Sequence, residues 1–243
     1  KLFFLLLKKH IMANKDYFKA PDYYLLDELL SEEHLLIRKS IRDFVKKEIS
    51  PIIEDVCQSC VFPKKLIPKL GDLGCFGAFI PAKYGGAELD QISYGLIMQE
   101  LERGDSGIRS TASVQSSLVM FPIFNYGTEK QKTKYLKKLA TGEIMGCFGL
   151  TEPNHGSNPA GMESNFKDVG DYFLLNGSKL WISNSPFADI AVVWAKNEQG
   201  RIQGLIIETD MDGVTTPETH NKSQLIFNLF LIVLLLSFES SIT

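Results

Sequence analysis

"GCFGLTEPNHGSN", residues 146–158, begins as a short apolar strand and then breaks into Thr, Glu, Pro, Asn, His, Gly, Ser and Asn. The second half is a loop that offers backbone and side-chain hydrogen-bonding groups at the end of that strand. Such a loop is either an ordinary turn region built on Pro153 and Gly156 or the rim of a binding site. The choice depends on what the chain places around it.

From about residue 145 to 209 the apolar period is that of strands. "MGCFGL", "DYFLLNGSKLWIS", "IAVVWAK" and "IQGLIIET" are short runs rich in Val, Ile, Phe, Tyr and Trp. Asn176-Gly177 predicts a hairpin with a type I′ turn. Upstream, from about 25 to 142, the period is helical. Ile37, Ile41, Phe44, Val45 and Ile49 share one face, and Pro51 ends that helix. Leu66, Leu70 and Leu73 mark a second helix, and Leu89, Ile92, Leu96, Ile97 and Leu101 a third. Thr128 and Gln131 form a capping-box pattern opening a fourth, with Tyr135, Leu136 and Leu139 inside it and Gly142 closing it. The predicted fold class is therefore α+β: a helical domain followed by a β domain. Segregated blocks argue against a doubly wound nucleotide fold. Neither G-x-G-x-x-G nor a P-loop is present.

Between the third and fourth helices lies "DSGIRSTASVQSSLVMFPIF", 105–124. Ser106, Arg109, Ser110, Ser113, Ser116 and Ser117 recur there at helical spacing. A stripe of small hydroxyls lets a ligand or another surface approach and offers it hydrogen bonds. It reads equally as a serine-rich solvent face with Arg109 paired to Asp105 one turn back. The apolar end, "LVMFPIF", argues for burial there, and a desolvated arginine demands an anion.

Composition is that of a soluble globular chain: 243 residues, 44% hydrophobic, 23% charged, formal net charge −3. That balance, with lysines spread along helices, gives no electrostatic case for nucleic acid. Cys57 and Cys60 form a C-x-x-C, which suits a redox pair, half a zinc site or simply two reduced thiols. A second ligand pair for zinc is lacking, so no metal is expected. "KLFFLLLKKHIM" at the start is too short to span a bilayer and lacks a small-residue cleavage site. The apolar run from Leu225 to Phe238 is about 14 residues, against about 20 for a spanning helix. It reads as a membrane anchor or as sequence foreign to the domain before it.

"GCFGLTEPNHGSN" together with "KLWISNSPFADIAVVWA" resembles the flavin-binding region of acyl-CoA dehydrogenases. "ELERGDSGIRSTASVQSSLVM" is similar to the glutaryl-CoA dehydrogenase branch. The resemblance runs from about Tyr24 to about Pro217. It implies an irregular extension (1–24), an all-α helical bundle as N-terminal domain (25–144), an incomplete antiparallel, barrel-like β domain (145–217) and a non-family apolar tail (218–243), with the family's C-terminal four-helix domain missing.

The resemblance implies FAD, with Phe148, Gly149, Leu150 and Thr151 lining the flavin and Glu152, Pro153, Asn154, His155 and Gly156 completing the loop. Ser157 stands where cofactor and acyl-CoA meet, and Trp181, Ile182 and Ser183 flank the ring from a second segment. Most relatives carry Thr at Ser183, Asp at Asn158 and, in the glutaryl branch, Tyr at Ile108. The implied reaction is α,β-dehydrogenation of glutaryl-CoA with loss of CO2 to crotonyl-CoA, in lysine and tryptophan breakdown. Arg109 would anchor the distal carboxylate, Ser110, Ser113 and Ser157 would add hydrogen bonds, and Glu102 would orient Arg109. The family's catalytic Glu lies in a C-terminal helical domain outside the resemblance, so the expectation is a catalytically incomplete fragment with Glu152 structural. Implied partners are an electron-transfer flavoprotein and further copies in a homotetramer, and the implied location is the mitochondrial matrix. The alternatives are a non-catalytic flavoprotein-like remnant or interaction module, and an acyl-CoA dehydrogenase of other short-chain substrates.

Overall fold

The computed structural model describes residues 21–217 and the backbone of 232–238 and 241–242. Expectations for residues 1–20, 218–231, 239–240 and 243 lie outside the described residues.

The helical half starts at Ser31, whose hydroxyl accepts the His34 amide while His34 Nδ1 accepts the Ser31 amide. This reciprocal cap satisfies two of the helix's orphan donors. It opens α1 (Glu32–Phe44), which continues through a wider π-type segment, Val45–Ile49. Short helices α2 (Ile53–Ser59) and α3 (Leu66–Asp72) follow, then α4 (Gln91–Gly104). Asp105 breaks the path between α4 and α5 (Ser106–Ser113), its carboxylate accepting the Ile108 amide as an N-cap. A π-type segment, Val114–Met120, joins α5 to α6 (Phe121–Tyr126). Thr128 and Gln131 make the expected capping box at α7 (Glu129–Thr141), and Gly142 ends it at φ 72°.

The expected faces are buried at Ile41, Val45, Ile49, Leu66, Leu70, Ile97, Leu101, Leu136 and Leu139. Ile92 differs, being 50% exposed. The inward face of α4 is taken instead by Ser93 and by Glu100, which Arg42 holds through two bonds of 2.8 Å.

The β half is a curled mixed sheet in the order β6-β7-β3-β2-β4-β5-β8, with β1 pairing β4 beside it. The strands are β1 (Gly146–Gly149), β2 (Asn165–Asp168), β3 (Phe173–Lys179), β4 (Ile190–Lys196), β5 (Ile202–Glu208), β6 (Val214–Thr215), β7 (Ile232–Phe238) and β8 (Ser241–Ile242). Most pairs are antiparallel as expected, whereas β1 and β2 both run parallel to β4. They share one edge of β4. The chain leaves it at Gly149, opposite Val193, and returns at Asn165, opposite Lys196. Everything between is a loop thrown out from the sheet edge.

The hairpin expected at Asn176-Gly177 is absent. β3 runs straight through both residues, paired to β2 at Asn176 and to β7 along its length. The β2–β3 turn lies instead at Val169–Tyr172, closed by the Val169 amide on the Tyr172 carbonyl with Gly170 at φ 96°. Gly177 answers a different need: a Cβ there would stand 2.2 Å from Ser164 Oγ, so the glycine admits a neighbouring chain.

Two cores result. Ile190, Val192 and Ile206 close one with the helices, while Cys147, Ala191, Val193, Leu205, Ile207, Phe166, Leu175 and Ile182 form the other behind the sheet. Alternation along β4 puts successive residues into opposite cores.

Candidate functional site

The loop leaving β1 is held by one buried ion pair. Lys179, at the end of β3, has no exposed surface. Its ammonium donates to the Leu150 carbonyl at 3.1 Å and to Glu152 Oε1 at 2.6 Å. Glu152 also accepts the Glu163 amide at 2.6 Å and the Ser164 amide at 3.0 Å. Burial pushes the Glu152 carboxyl up, but the Glu163 and Ser164 bonds and the Lys179 ammonium outweigh it and hold it down at about 2. For Lys179, burial prevails over Glu152 and lowers the ammonium below its ordinary range. The Glu152 carboxylate is thus fully committed to the loop.

A second tie joins the loop to the stretch after β3, where the Leu180 amide donates to the Thr151 carbonyl at 2.8 Å. Trp181 follows in left-handed backbone, φ 65°, with 40% of its surface exposed. Ile182 turns its side chain into the inner core, and Ser183 is half-buried. Thr151 and Phe148 are half-buried too, Phe148 meeting Trp194 edge-on at 6.0 Å. Gly149 is buried and Leu150 half-buried. Pro153, Asn154, Gly156 and Ser157 are exposed, and His155 lies 3.4 Å from Glu163. No other described residue bonds the hydroxyls of Thr151, Ser157 or Ser183.

Asn184 brings this region to the helices. Its amide donates to the Gly146 carbonyl of β1 at 3.2 Å and to the Thr111 carbonyl of α5 at 3.3 Å. Gln115, fully buried, makes a second bridge: its Oε1 accepts the Gly146 amide, and its Nε2 donates to the Leu139 and Ile144 carbonyls. Asn184, Gln115 and Lys179 were not singled out from sequence. A lysine inside an apolar strand was the available signal for the last. Nothing local marks the other two.

The hydroxyl stripe divides into two parts. Ser116 is buried, accepting the Gly77 amide and donating to the Cys75 carbonyl, and Ser117 meets the Tyr94 hydroxyl at 2.5 Å. Ser110 and Ser113 are half-buried, with side chains unbonded among the described residues. Arg109 pairs with Glu102 across the Asp105 break, Nε to Oε2 at 2.6 Å, and not with Asp105. Ser106 donates to the other Glu102 oxygen at 2.6 Å. Those two bonds hold the Glu102 carboxyl below its usual value. Among the described residues, the terminal nitrogens of Arg109 make no further bond.

Comparison with known proteins agrees with this architecture. Residues 31–143 match the N-terminal domain of acyl-CoA dehydrogenases and residues 147–225 their middle domain. The chain belongs to the acyl-CoA dehydrogenase family. Over 200 residues it is 40% identical to the Bacillus subtilis protein named "Probable acyl-CoA dehydrogenase YngJ", covering 79% of this chain and 52% of that one. It is 36% identical over 200 residues to the 3-(aryl)acrylate reductase of Clostridium sporogenes, covering 81% of this chain and 53% of that one. A crystal structure of a Mycobacterium smegmatis glutaryl-CoA dehydrogenase in complex with FADH2 superposes with a TM-score of 0.86 at 41% identity, covering 90% of this chain and 57% of that one. The chain spans about half the length of these relatives.

One expectation is corrected. These relatives come from Bacillus, Clostridium and Mycobacterium, which does not support a location in the mitochondrial matrix. That expectation rested on family resemblance and on no residue of this chain. Among the described residues no helix is long and apolar enough to cross a membrane, and no cluster of ligands suits a metal ion.

Proposed function

We propose that this chain contributes the helical and middle domains of an FAD-dependent dehydrogenase acting on acyl-CoA thioesters with a distal carboxylate, glutaryl-CoA foremost. The residues fit the cofactor. The half-buried hydroxyls of Thr151 and Ser183 are available as donors, and the exposed Trp181 indole and Phe148 provide an aromatic wall. A flavin ring needs that combination. Bound FAD supplies the two-electron acceptor that α,β-dehydrogenation requires. Ser157, exposed on the same loop, is the candidate contact between cofactor and acyl-CoA.

The observation that carries the substrate class is the Arg109 guanidinium. Glu102 holds its Nε, while the terminal nitrogens keep the planar fork that pairs with a carboxylate. Ser110 and Ser113, one turn apart on the same helix, add hydroxyls beside it. Glu152 and Glu102 are both engaged, so the proposal assigns α-proton removal to a carboxylate outside the described residues. Electrons would leave to an electron-transfer flavoprotein.

The test uses the intact protein with glutaryl-CoA and butyryl-CoA. Arg109→Ala should lower kcat/KM for glutaryl-CoA by a factor of about 10–100: truncating one partner of a buried, hydrogen-bonded charge pair costs about 2–5 kcal/mol, and the Arg109 side chain keeps 33% of its surface exposed, which reduces that figure. Butyryl-CoA, without a distal carboxylate, should change little. Equal losses on both substrates would give Arg109 a structural role only.

A further inference from the structure

Cys57 and Cys60 take no part in the site described above. All four cysteines are free, with Cys75 and Cys147 buried and Cys57 and Cys60 exposed. Cys57 lies in the last turn of α2, and Cys60 caps that helix in left-handed backbone at φ 55°. The backbone from 57 to 59 is helical, so the two Cα atoms are three helical steps apart, ~5 Å by helix geometry. That falls within the ~4.4–6.8 Å a disulfide requires. The left-handed φ also rotates the Cys60 side chain about its N–Cα bond. Its Sγ lies back over the helix end, 3.6 Å from the Cys57 carbonyl oxygen. Both cysteines are therefore exposed at the same helix end, with Cα atoms close enough for a disulfide to join them.

We propose that Cys57 and Cys60 are a reversible dithiol–disulfide pair that exchanges with low-molecular-weight disulfides. One cysteine, as thiolate, attacks a sulfur of the small disulfide, forming a mixed disulfide and releasing the first small thiol. The second cysteine, as thiolate, attacks the protein sulfur of that mixed disulfide and releases the second small thiol. The two protons lost by the cysteines end on the released thiols, and two electrons pass from the cysteine pair to the small disulfide. Burial and, after it, the Asp105 carboxylate raise the Cys57 thiol above its ordinary range, which lowers its thiolate fraction and makes the exchange faster as pH rises. Asp105 caps the helix that carries Arg109.

The experiment treats the intact protein with oxidised glutathione, then counts maleimide-reactive thiols without denaturant and measures the mass. The expected result is that both exposed thiols become unreactive, the mass falls by two hydrogens, and dithiothreitol restores both. Cys57→Ser and Cys60→Ser, which remove only exposed sulfurs, should each retain one glutathione on the remaining cysteine. Thiols left reactive in the parent protein, or glutathione adducts that persist on it, would overturn the proposal.

Discussion

At the residue scale, Lys179 is a full charge with no exposed surface, placed in a strand. Desolvating it is costly, and the fold tolerates it because Glu152 and the Leu150 carbonyl meet its ammonium. Glu152→Gln should leave that ammonium buried without its counter-ion and lower stability at pH 7 by about 3 kcal/mol or more. The Glu152 carboxyl sits at about 2 in the fold against an ordinary value of 4.5. A depressed carboxyl stabilises the fold above its ordinary value, and this contribution is lost as pH falls towards the folded value. The gap between parent and Glu152→Gln in urea denaturation should therefore close between pH ~5 and ~2. A gap that stays constant with pH would show that the carboxylate charge contributes nothing. Sequence suggests that Glu152 is structural, but not its partner: residues 152 and 179 meet only because β1 and β3 end together.

At the element scale, β3 shows where local chemistry misleads. Asn-Gly is a strong turn signal, yet β2 and β7 pair with β3 on either side of it and hold the chain extended. Gly177→Ala should destabilise by about 1–3 kcal/mol, because the new Cβ would overlap Ser164 and overpacking costs that much. A thermal melt matching the parent would mean that the close approach at Ser164 is not maintained. Gln115 presents the converse case. Its one side chain joins α7 and the segment after it to β1, and Gln115→Leu leaves the Gly146 amide and the Ile144 carbonyl unpaired, while the Leu139 carbonyl keeps only the Gly142 amide. The expected loss is about 2–4 kcal/mol, read as a lower urea midpoint. The ends of α1 and α7 were legible in sequence because Pro51, Thr128, Gln131 and Gly142 act on their immediate neighbours. Glu100 was not, since its burial depends on Arg42 from another helix.

At the scale of the whole molecule, three distant stretches meet. The loop after β1 bonds Leu180, the stretch after β3 bonds Thr111 through Asn184, and α5 carries Arg109. If they form one flavin and thioester site, Thr151→Ala in the intact protein should weaken FAD retention by about 1–3 kcal/mol, the cost of an unpaired buried polar edge. The measurement is flavin absorbance retained after gel filtration. Unchanged flavin content in the Thr151→Ala, Trp181→Ala double variant would remove the site from this region.

The sequence by itself determined the two regimes, helices and then strands, because apolar periodicity and capping act within a few residues. It also determined the family, because the strand-end loop and the "KLWIS" stretch survive as contiguous text. Only the tertiary structure decided that β1 and β2 share an edge of β4 and that Asn176-Gly177 is strand and not turn. Each of those depends on contacts between segments far apart in the chain, where packing and burial outweigh local preference.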